Sequence, residues 1–282
     1  MNTWFRRSRT GGRTLAEEIT VRTETTNGGA IEVRRRNGVG PTLVLLHYWG
    51  GSARTWDAVV ERLPAGRDVV RFDQRGWGSS RRLPGPYDLD RLADDVLEVV
   101  AGLGLERYVL VGHSMGGKVS QLVAGRRPFG AAGVVLVAPA PPRPPAMVTP
   151  EYQRVLAQAY DSPESVEQAL DQVLTATPLD AAVRDAVVRD SLASDADARR
   201  EWPLRGIAAD VSEAVEGIDV PVLVLAGEQD RVEPPSVLRE HLLPVIPHSR
   251  LEVVPKAGHL LPLEAPDVVA SRLEEFAAGL DR

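Results

Sequence analysis

The most reactive pattern in this chain is a serine with glycines two positions away on each side. Gly112, Ser114 and Gly116 form the motif G-x-S-x-G, directly after the apolar run 108–111 and before a helix-compatible segment at 118–126. Strand, tight turn and helix are the setting of a nucleophile elbow, because the sharp bend exposes the serine hydroxyl at the carboxyl end of a strand. The motif therefore predicts Ser114 as a nucleophile.

A serine hydroxyl is a weak nucleophile and needs an adjacent general base. The chain has five histidines. His259 comes about five residues after the apolar run 251–254, where a loop at the carboxyl edge of a sheet can reach the serine. His113 is next to the serine, but neighbours on so tight a turn point apart. Because His241 falls in a predicted helix and His248 precedes the last strand at its amino end, His259 is the predicted base.

The third residue of such a site must orient the imidazole and stabilise its protonated form. Asp230 and Glu228 both lie in the turn after the apolar run 222–225. Asp230 is further from the strand end, where the loop can reach His259, so it is the preferred acid and Glu228 is the alternative. The order serine, acid, histidine is the order expected of a doubly wound hydrolase.

Negative charge that develops on a substrate carbonyl oxygen needs preorganised hydrogen-bond donors. The backbone N–H of Met115, the residue after the serine, is one predicted donor. The other is expected from the loop His47-Tyr-Trp-Gly-Gly-Ser52, which follows the apolar run 42–46. Tyr48 and His113 are candidate substrate contacts. No metal site and no cofactor is predicted.

These residues must be positioned by a sheet, and continuous apolar runs are typical of strands buried on both faces. Helix-spaced apolar residues at 92–103 and 269–280 lie between or after such runs. The alternation predicts an α/β fold with a doubly wound, mostly parallel sheet. The turn Asn27-Gly28-Gly29 predicts an antiparallel hairpin at the sheet edge. The apolar runs are 42–46, 69–72, 108–111, 134–137, 222–225 and 251–254.

A proline run at 138–145 breaks the alternation, because proline neither continues a strand nor enters a helix interior. Several short helices without a clear strand are predicted after it. The insertion begins on the edge where the serine should lie, which favours a lid over the substrate site; a surface decoration is the alternative. We expect a disordered basic tail at 1–16, the α/β core at 17–140 and 216–282, and the inserted helical lid at 141–215.

Composition excludes several classes of protein. A net charge of −6 offers no basic surface for nucleic acid, and the absence of cysteine excludes disulfides and thiolate nucleophiles. No apolar run approaches the length of a membrane span. Arg6 and Arg7 resemble the start of a twin-arginine signal, but no apolar region follows them. A cytoplasmic protein with a small-molecule substrate, without nucleic-acid or membrane partners, is expected; its oligomeric state is open.

Five segments together resemble the α/β-hydrolase superfamily, over nearly the whole chain from about residue 17. Within it, the pattern is closest to small-lid esterases, cofactor-free perhydrolases or haloperoxidases, and carbon–carbon bond hydrolases. The resemblance implies Ser114, Asp230 and His259 as a catalytic triad, with Trp49 and Met115 as oxyanion donors. The segments are LVLLHYWGG at 43–51, RFDQRGWGSS at 71–80, LVGHSMGG at 110–117, LVLAGEQDRVEPP at 223–235 and VVPKAGHLLPLEAPD at 253–267.

The resemblance also implies that the segment 73–79 is a structural loop that buttresses the elbow. One position departs from the superfamily, where a glycine usually stands before the oxyanion residue and Tyr48 stands here. That change can alter the backbone angle or place a ring near the reacting carbonyl, which bears on the role implied for Trp49.

The predicted function is a serine hydrolase that cleaves an ester or related acyl bond through an acyl-enzyme. One alternative is a carbon–carbon bond hydrolase of diketone-like substrates, which would use the same triad. Another is a hydrolase-fold protein that binds a ligand without turnover. Tyr152, Tyr160 and Trp202 in the insertion fit an apolar or aromatic acyl substrate, and they fit the insertion's own core equally well.

Overall fold

A computed structural model describes residues 18–26 and 28–280, and an eight-stranded sheet forms their centre. The strand order is β1-β2-β4-β3-β5-β6-β7-β8. The pairs β1–β2 and β2–β4 are antiparallel, whereas all further pairs are parallel. The strands are β1 (Glu18–Glu24), β2 (Ala30–Arg36), β3 (Val39–Leu46), β4 (Arg67–Phe72), β5 (Tyr108–His113), β6 (Ala131–Val137), β7 (Val222–Gly227) and β8 (Arg250–Val254).

The two faces of the sheet explain why its inner strands are continuous apolar runs. Val44 and Leu110 belong to one hydrophobic cluster, while their neighbours Leu45 and Val111 belong to a second cluster on the opposite face. All four side chains are fully buried. Successive side chains of a strand point to opposite faces, so helices on both sides require every position to be apolar. The mostly parallel, doubly wound sheet predicted from the sequence is confirmed.

Helices cover both faces of this sheet. The predicted helical segments at 92–103 and 269–280 correspond to α2 and α11, and Asp88 caps α2 by accepting a hydrogen bond from the Arg91 N–H. The helices are α1 (Asp57–Arg62), α2 (Leu89–Gly102), α3 (Met115–Gly125), α4 (Pro150–Leu156), α5 (Pro163–Ala169), α6 (Ala181–Leu192), α7 (Ala196–Glu201), α8 (Ser212–Val215), α9 (Pro235–His241), α10 (Leu261–Glu264) and α11 (Pro266–Gly279).

The edge hairpin predicted near the start of the chain is also confirmed. Strands β1 and β2 pair in antiparallel register, with Val21 opposite Val33. Asn27 of the predicted turn and the predicted tail at 1–16 lie outside the described residues. Since β1 is at the end of the strand order, this hairpin forms one edge of the sheet, away from the strand that carries Ser114.

Between β6 and β7 the chain leaves the sheet and forms five helices and two π-helical turns, without a strand. We call residues 138–221 the helical insertion. Its first helix begins at Pro150, where proline at the first helical position has no N–H to leave unpaired, and Thr149 caps the Tyr152 N–H. Its last helix ends at Val215. The insertion therefore starts at the carboxyl end of β6 and ends at the amino end of β7.

Among the helices of the described residues, none has the length and apolar character that are needed to cross a membrane.

Candidate functional site

Ser114 lies in a strained turn between β5 and α3. Its backbone has a φ of 53° and a ψ of −113°, in a region that side-chain-bearing residues rarely adopt. A Cβ at Gly112 would lie 2.2 Å from the Gly116 carbonyl oxygen, and a Cβ at Gly116 would lie 2.6 Å from that of His47. The two glycines of the motif are therefore required because backbone passes directly against both of them.

The three residues predicted as a triad form one line of hydrogen bonds at the carboxyl edge of the sheet. The Ser114 Oγ is 2.9 Å from the His259 Nε2, and the His259 Nδ1 is 2.9 Å from the Asp230 Oδ2. Their exposures are 7%, 2% and 4%, respectively. Three separate loops, after β5, β7 and β8, bring these residues together.

Asp230 is held as an acceptor by its own loop. Its Oδ1 accepts hydrogen bonds from the backbone N–H groups of Val232, at 2.8 Å, and Glu233, at 3.0 Å. Burial on its own would raise the pKa of Asp230, but the charge of His259 and these hydrogen bonds lower it below its usual value. The alternative acid, Glu228, instead accepts a hydrogen bond from the Lys256 N–H, 3.0 Å away.

His113 is not one of the residues that line the cavity beside Ser114, so the geometry gives no support to its predicted contact with substrate. Its side chain is fully buried, and burial more than the neighbouring His259 lowers the pKa of His113 to about 3. The neutral ring donates from Nε2 to the His259 carbonyl oxygen at 2.8 Å. This hydrogen bond from His113 therefore helps to fix the backbone of His259.

Of the predicted oxyanion donors, Met115 directly follows Ser114, and Trp49 lines the same cavity as Ser114. Met115 is the first residue of α3, and Trp49 lies in the loop after β3. Within residues 18–26 and 28–280, neither backbone N–H donates a hydrogen bond. Backbone N–H groups without another partner are available to receive developing negative charge.

The loop that carries Trp49 is fixed by the segment 73–79. The neutral His47 ring donates from Nδ1 to the Tyr48 carbonyl oxygen at 2.7 Å and accepts at Nε2 from the Gln74 N–H at 3.0 Å. The Trp77 Nε1 donates to the Trp49 carbonyl oxygen at 2.6 Å. The segment that the resemblance implies to be structural thus supports the loop that carries Trp49.

The side chain of Trp49 connects this loop to the helical insertion. Its Nε1 donates to the Arg199 carbonyl oxygen at 2.9 Å, and its ring stacks on Tyr160 with the centroids 4.2 Å apart. Lys118 of α3 makes a second connection. Its buried ammonium group donates to the carbonyl oxygens of Ala209, at 2.6 Å, and Ile207, at 3.4 Å, and burial lowers the pKa of Lys118 to about 8.

A cavity of about 210 Å³ opens over Ser114 and His259. Tyr48 lines it, as predicted for a substrate contact, and its ring also borders a second cavity of about 220 Å³ under α6. Most of the wall comes from the helical insertion and is aliphatic or aromatic. The lining residues are Tyr48, Trp49, Ser114, Tyr152, Val155, Leu156, Ala159, Tyr160, Ala169, Val173, Leu174, Trp202, Ile207, Val232, Glu233 and His259.

Sequence reasoning missed Glu233. This residue lies three positions after Asp230 in the same loop, is only 4% exposed, and lines the cavity. The sequence offers one signal for it, a carboxyl residue directly before Pro234 and Pro235 in the loop that is predicted to reach His259. Within the described part of the chain, no group of three or more histidine, aspartate or glutamate side chains is arranged to hold a metal ion.

Comparison with known proteins places this geometry in a family. The model of the alpha/beta hydrolase family matches residues 43–272. A bifunctional esterase/perhydrolase of Acinetobacter calcoaceticus is 30% identical over 253 residues, which cover 84% of this chain and 91% of that protein.

Solved structures agree with that assignment. An esterase from Exiguobacterium antarcticum is similar in fold, with a TM-score of 0.82 at 22% identity, over 92% of this chain and 100% of that chain. A thermophilic esterase from Thermogutta terrifontis has a TM-score of 0.76 at 27% identity, over 94% of this chain and 99% of that chain. The protein described here belongs to the alpha/beta hydrolase family.

Proposed function

We propose that this enzyme cleaves carboxylic esters, with Ser114 as nucleophile, His259 as general base and Asp230 as the acid that orients it. The observation that carries the proposal is the line of two 2.9 Å hydrogen bonds from the Ser114 Oγ through His259 to Asp230, with Ser114 and His259 lining a largely apolar cavity. Nucleophile, base and orienting acid within hydrogen-bond reach are the recognised arrangement for acyl transfer.

In the first half of the reaction, the Ser114 Oγ attacks the ester carbonyl carbon while its proton passes to the His259 Nε2. Asp230 keeps the Nδ1–H tautomer of His259 and stabilises the imidazolium that forms. When the tetrahedral intermediate collapses, the bond to the alcohol oxygen breaks and the Nε2–H protonates that oxygen. In the second half, water attacks the acyl-enzyme with the same base, which releases the acid and restores Ser114.

Negative charge on the carbonyl oxygen would be received by the Met115 and Trp49 N–H groups. Both are free of other hydrogen bonds among the described residues, so no existing hydrogen bond has to break before they can receive that charge. The hydrogen bonds from Gln74 to His47 and from Trp77 to the Trp49 carbonyl oxygen would keep the Trp49 donor in place.

The helical insertion would act as a lid that defines the acyl or alcohol site. It supplies Tyr152, Tyr160 and Trp202 to the cavity, together with several aliphatic side chains. A largely apolar wall favours a small-molecule ester with an apolar or aromatic part.

An ester substrate is favoured over a carbon–carbon bond by the esterase activities named for the relatives, one of which is also named as a perhydrolase. Ligand binding without turnover would not require a serine that is hydrogen-bonded to a histidine and an acid.

The test is hydrolysis of p-nitrophenyl esters from acetate to octanoate and of p-nitrophenyl phenylacetate. We expect turnover of at least one of them, and a fall in kcat of about 10⁶ in Ser114→Ala. Ser271→Ala, an exposed serine in α11, is the matched control and should keep wild-type turnover. A fluorophosphonate should label the wild type but not Ser114→Ala; equal turnover by both proteins would contradict the proposal.

A further inference from the structure

Glu233 is a buried carboxyl group in the cavity that the proposed reaction does not use. It lines the cavity together with Ser114 and His259 and is only 4% exposed. Its Oε2 is shielded from solvent and has no hydrogen-bond partner among the described residues. Burying a polar atom without a partner costs free energy, so a carboxyl oxygen left in this state needs an explanation.

The surroundings of Glu233 favour the uncharged acid. Burial, and then the negative charge of Asp230, raise the pKa of Glu233 well above its usual value. Lys118 is the cation that opposes this effect, but its ammonium group is bound to carbonyl oxygens of the insertion and forms no ion pair with Glu233. Tyr152 of the insertion lines the same cavity and is uncharged at neutral pH, and burial raises its pKa further.

The fixed backbone of the loop keeps Glu233 at the cavity. Its N–H donates to the Asp230 Oδ1 at 3.0 Å, and Pro234 and Pro235 follow it. The side chain is therefore presented by the same loop that holds the acid of the triad. Among the described residues that line the cavity, it is the one carboxyl group.

We propose that Glu233 determines specificity: its protonated carboxyl group donates a hydrogen bond to an uncharged oxygen on the acyl or alcohol part of the ester. A carbonyl, ether or hydroxyl oxygen would fit. Such a substrate would reach the carboxyl group from the cavity that Glu233 lines, whereas a plain hydrocarbon chain would offer it no acceptor. The proposal rests on the proposed ester hydrolysis and adds a substrate class to it.

The test compares p-nitrophenyl 4-oxohexanoate and 5-oxohexanoate with plain p-nitrophenyl hexanoate. For the wild type, kcat/KM should be about tenfold higher for one keto ester than for the plain ester, the size expected of one added hydrogen bond. Glu233→Gln keeps a donor of similar shape and should retain this ratio within about threefold. Glu233→Met keeps the length without a donor, and its ratio should fall to about one.

Glu240→Gln is the control for loss of a carboxyl group outside the cavity, since Glu240 is 77% exposed on α9. It should keep the wild-type ratio. If Glu233→Met does not fold, the wild-type ratio still decides, because a wild type without preference for either keto ester overturns the proposal. A wild-type ratio in Glu233→Met overturns it too.

An ammonium group is the competing ligand, since aromatic rings and an ionised carboxylate together bind cations. Choline butyrate and its uncharged isostere 3,3-dimethylbutyl butyrate separate the two ligands. A wild-type preference for the choline ester that Glu233→Gln abolishes would overturn the neutral-donor proposal.

A binding measurement distinguishes failure of the Glu233 proposal from failure of ester hydrolysis. If no ester is turned over, binding of 2-heptanone to the wild type and to Glu233→Met is measured by thermal shift. Stabilisation of the wild type alone supports the role of Glu233 without the proposed chemistry. Absence of any ketone-dependent shift, or an equal shift in both proteins, overturns it.

Discussion

Two buried carboxyl groups of one loop, Asp230 beside His259 and Glu233 on the cavity wall, lie in opposite environments. Beside His259, Asp230 accepts three hydrogen bonds and its pKa is lowered despite burial. On the cavity wall, Glu233 stands three residues away with an unpaired oxygen, and its pKa is raised. Pairing, rather than burial, decides which form each acid takes. Both oxygens of Asp230 are paired without a ligand, whereas one oxygen of Glu233 has no partner among the described residues.

Among changes to these two carboxyl groups and the cavity wall, Asp230→Asn should have the largest effect on activity. The amide would present its NH₂ or its oxygen to His259 without the negative charge, which favours the wrong tautomer of the imidazole. We expect kcat to fall by about 10⁴ with little change in KM. Glu228→Gln, a change at the alternative acid that faces Lys256 instead, should retain most activity. The reverse order of these two effects would identify Glu228 as the orienting acid.

A smaller effect is expected on the wall. Ala169 is the last residue of α5 and lines the cavity, so Ala169→Leu should fill part of it. We expect kcat/KM for p-nitrophenyl octanoate to fall about tenfold more than for the acetate, as befits a change of a few methyl groups in an apolar site. Ala181→Leu, at an exposed position of α6, is the control. Equal losses for both esters would show that Ala169 does not contact the chain of the substrate.

The smallest effect concerns stability at Glu233. Because the pKa of Glu233 is raised in the folded state, the stability it contributes is present below its unfolded pKa of about 4.3 and is lost as pH rises through the folded pKa. Glutamine does not titrate. Glu233→Gln should therefore melt near the wild type at pH 4 and on the order of 2 °C higher at pH 8.

Glu240→Gln should show no such difference between the two pH values. A Glu233→Gln variant that melts lower than the wild type only at pH 8 would mean that Glu233 is ionised and paired in the folded protein. In that case the contrast between the two carboxyl groups would disappear.

Much of the core could be predicted from local patterns, because strands buried on both faces must be apolar at every position. All six apolar runs lie within strands β3 to β8. The elbow could be predicted because glycines two residues from Ser114 are needed wherever backbone packs so closely. His259 and Asp230 could be located because loops after parallel strands meet at one edge of the sheet.

Other features depend on contacts between distant parts of the chain. The sequence makes His113 a candidate substrate contact because it is next to Ser114. In the folded chain its ring is fully buried and donates to the His259 carbonyl oxygen. The Trp49 loop depends on Gln74 and Trp77, which the sequence does not pair with it.

The sequence by itself determined the fold and the identity of the residues that meet at Ser114, because both follow from local periodicity and from strand ends. Only the tertiary structure decided the state of Glu233 and the form of the cavity. A lone glutamate in a loop carries no periodic signal, and its burial results from the helical insertion packing over the sheet edge. The residues that meet at Ser114 are therefore readable from the chain, whereas the shape of the cavity beside them is set by packing between distant parts of the chain.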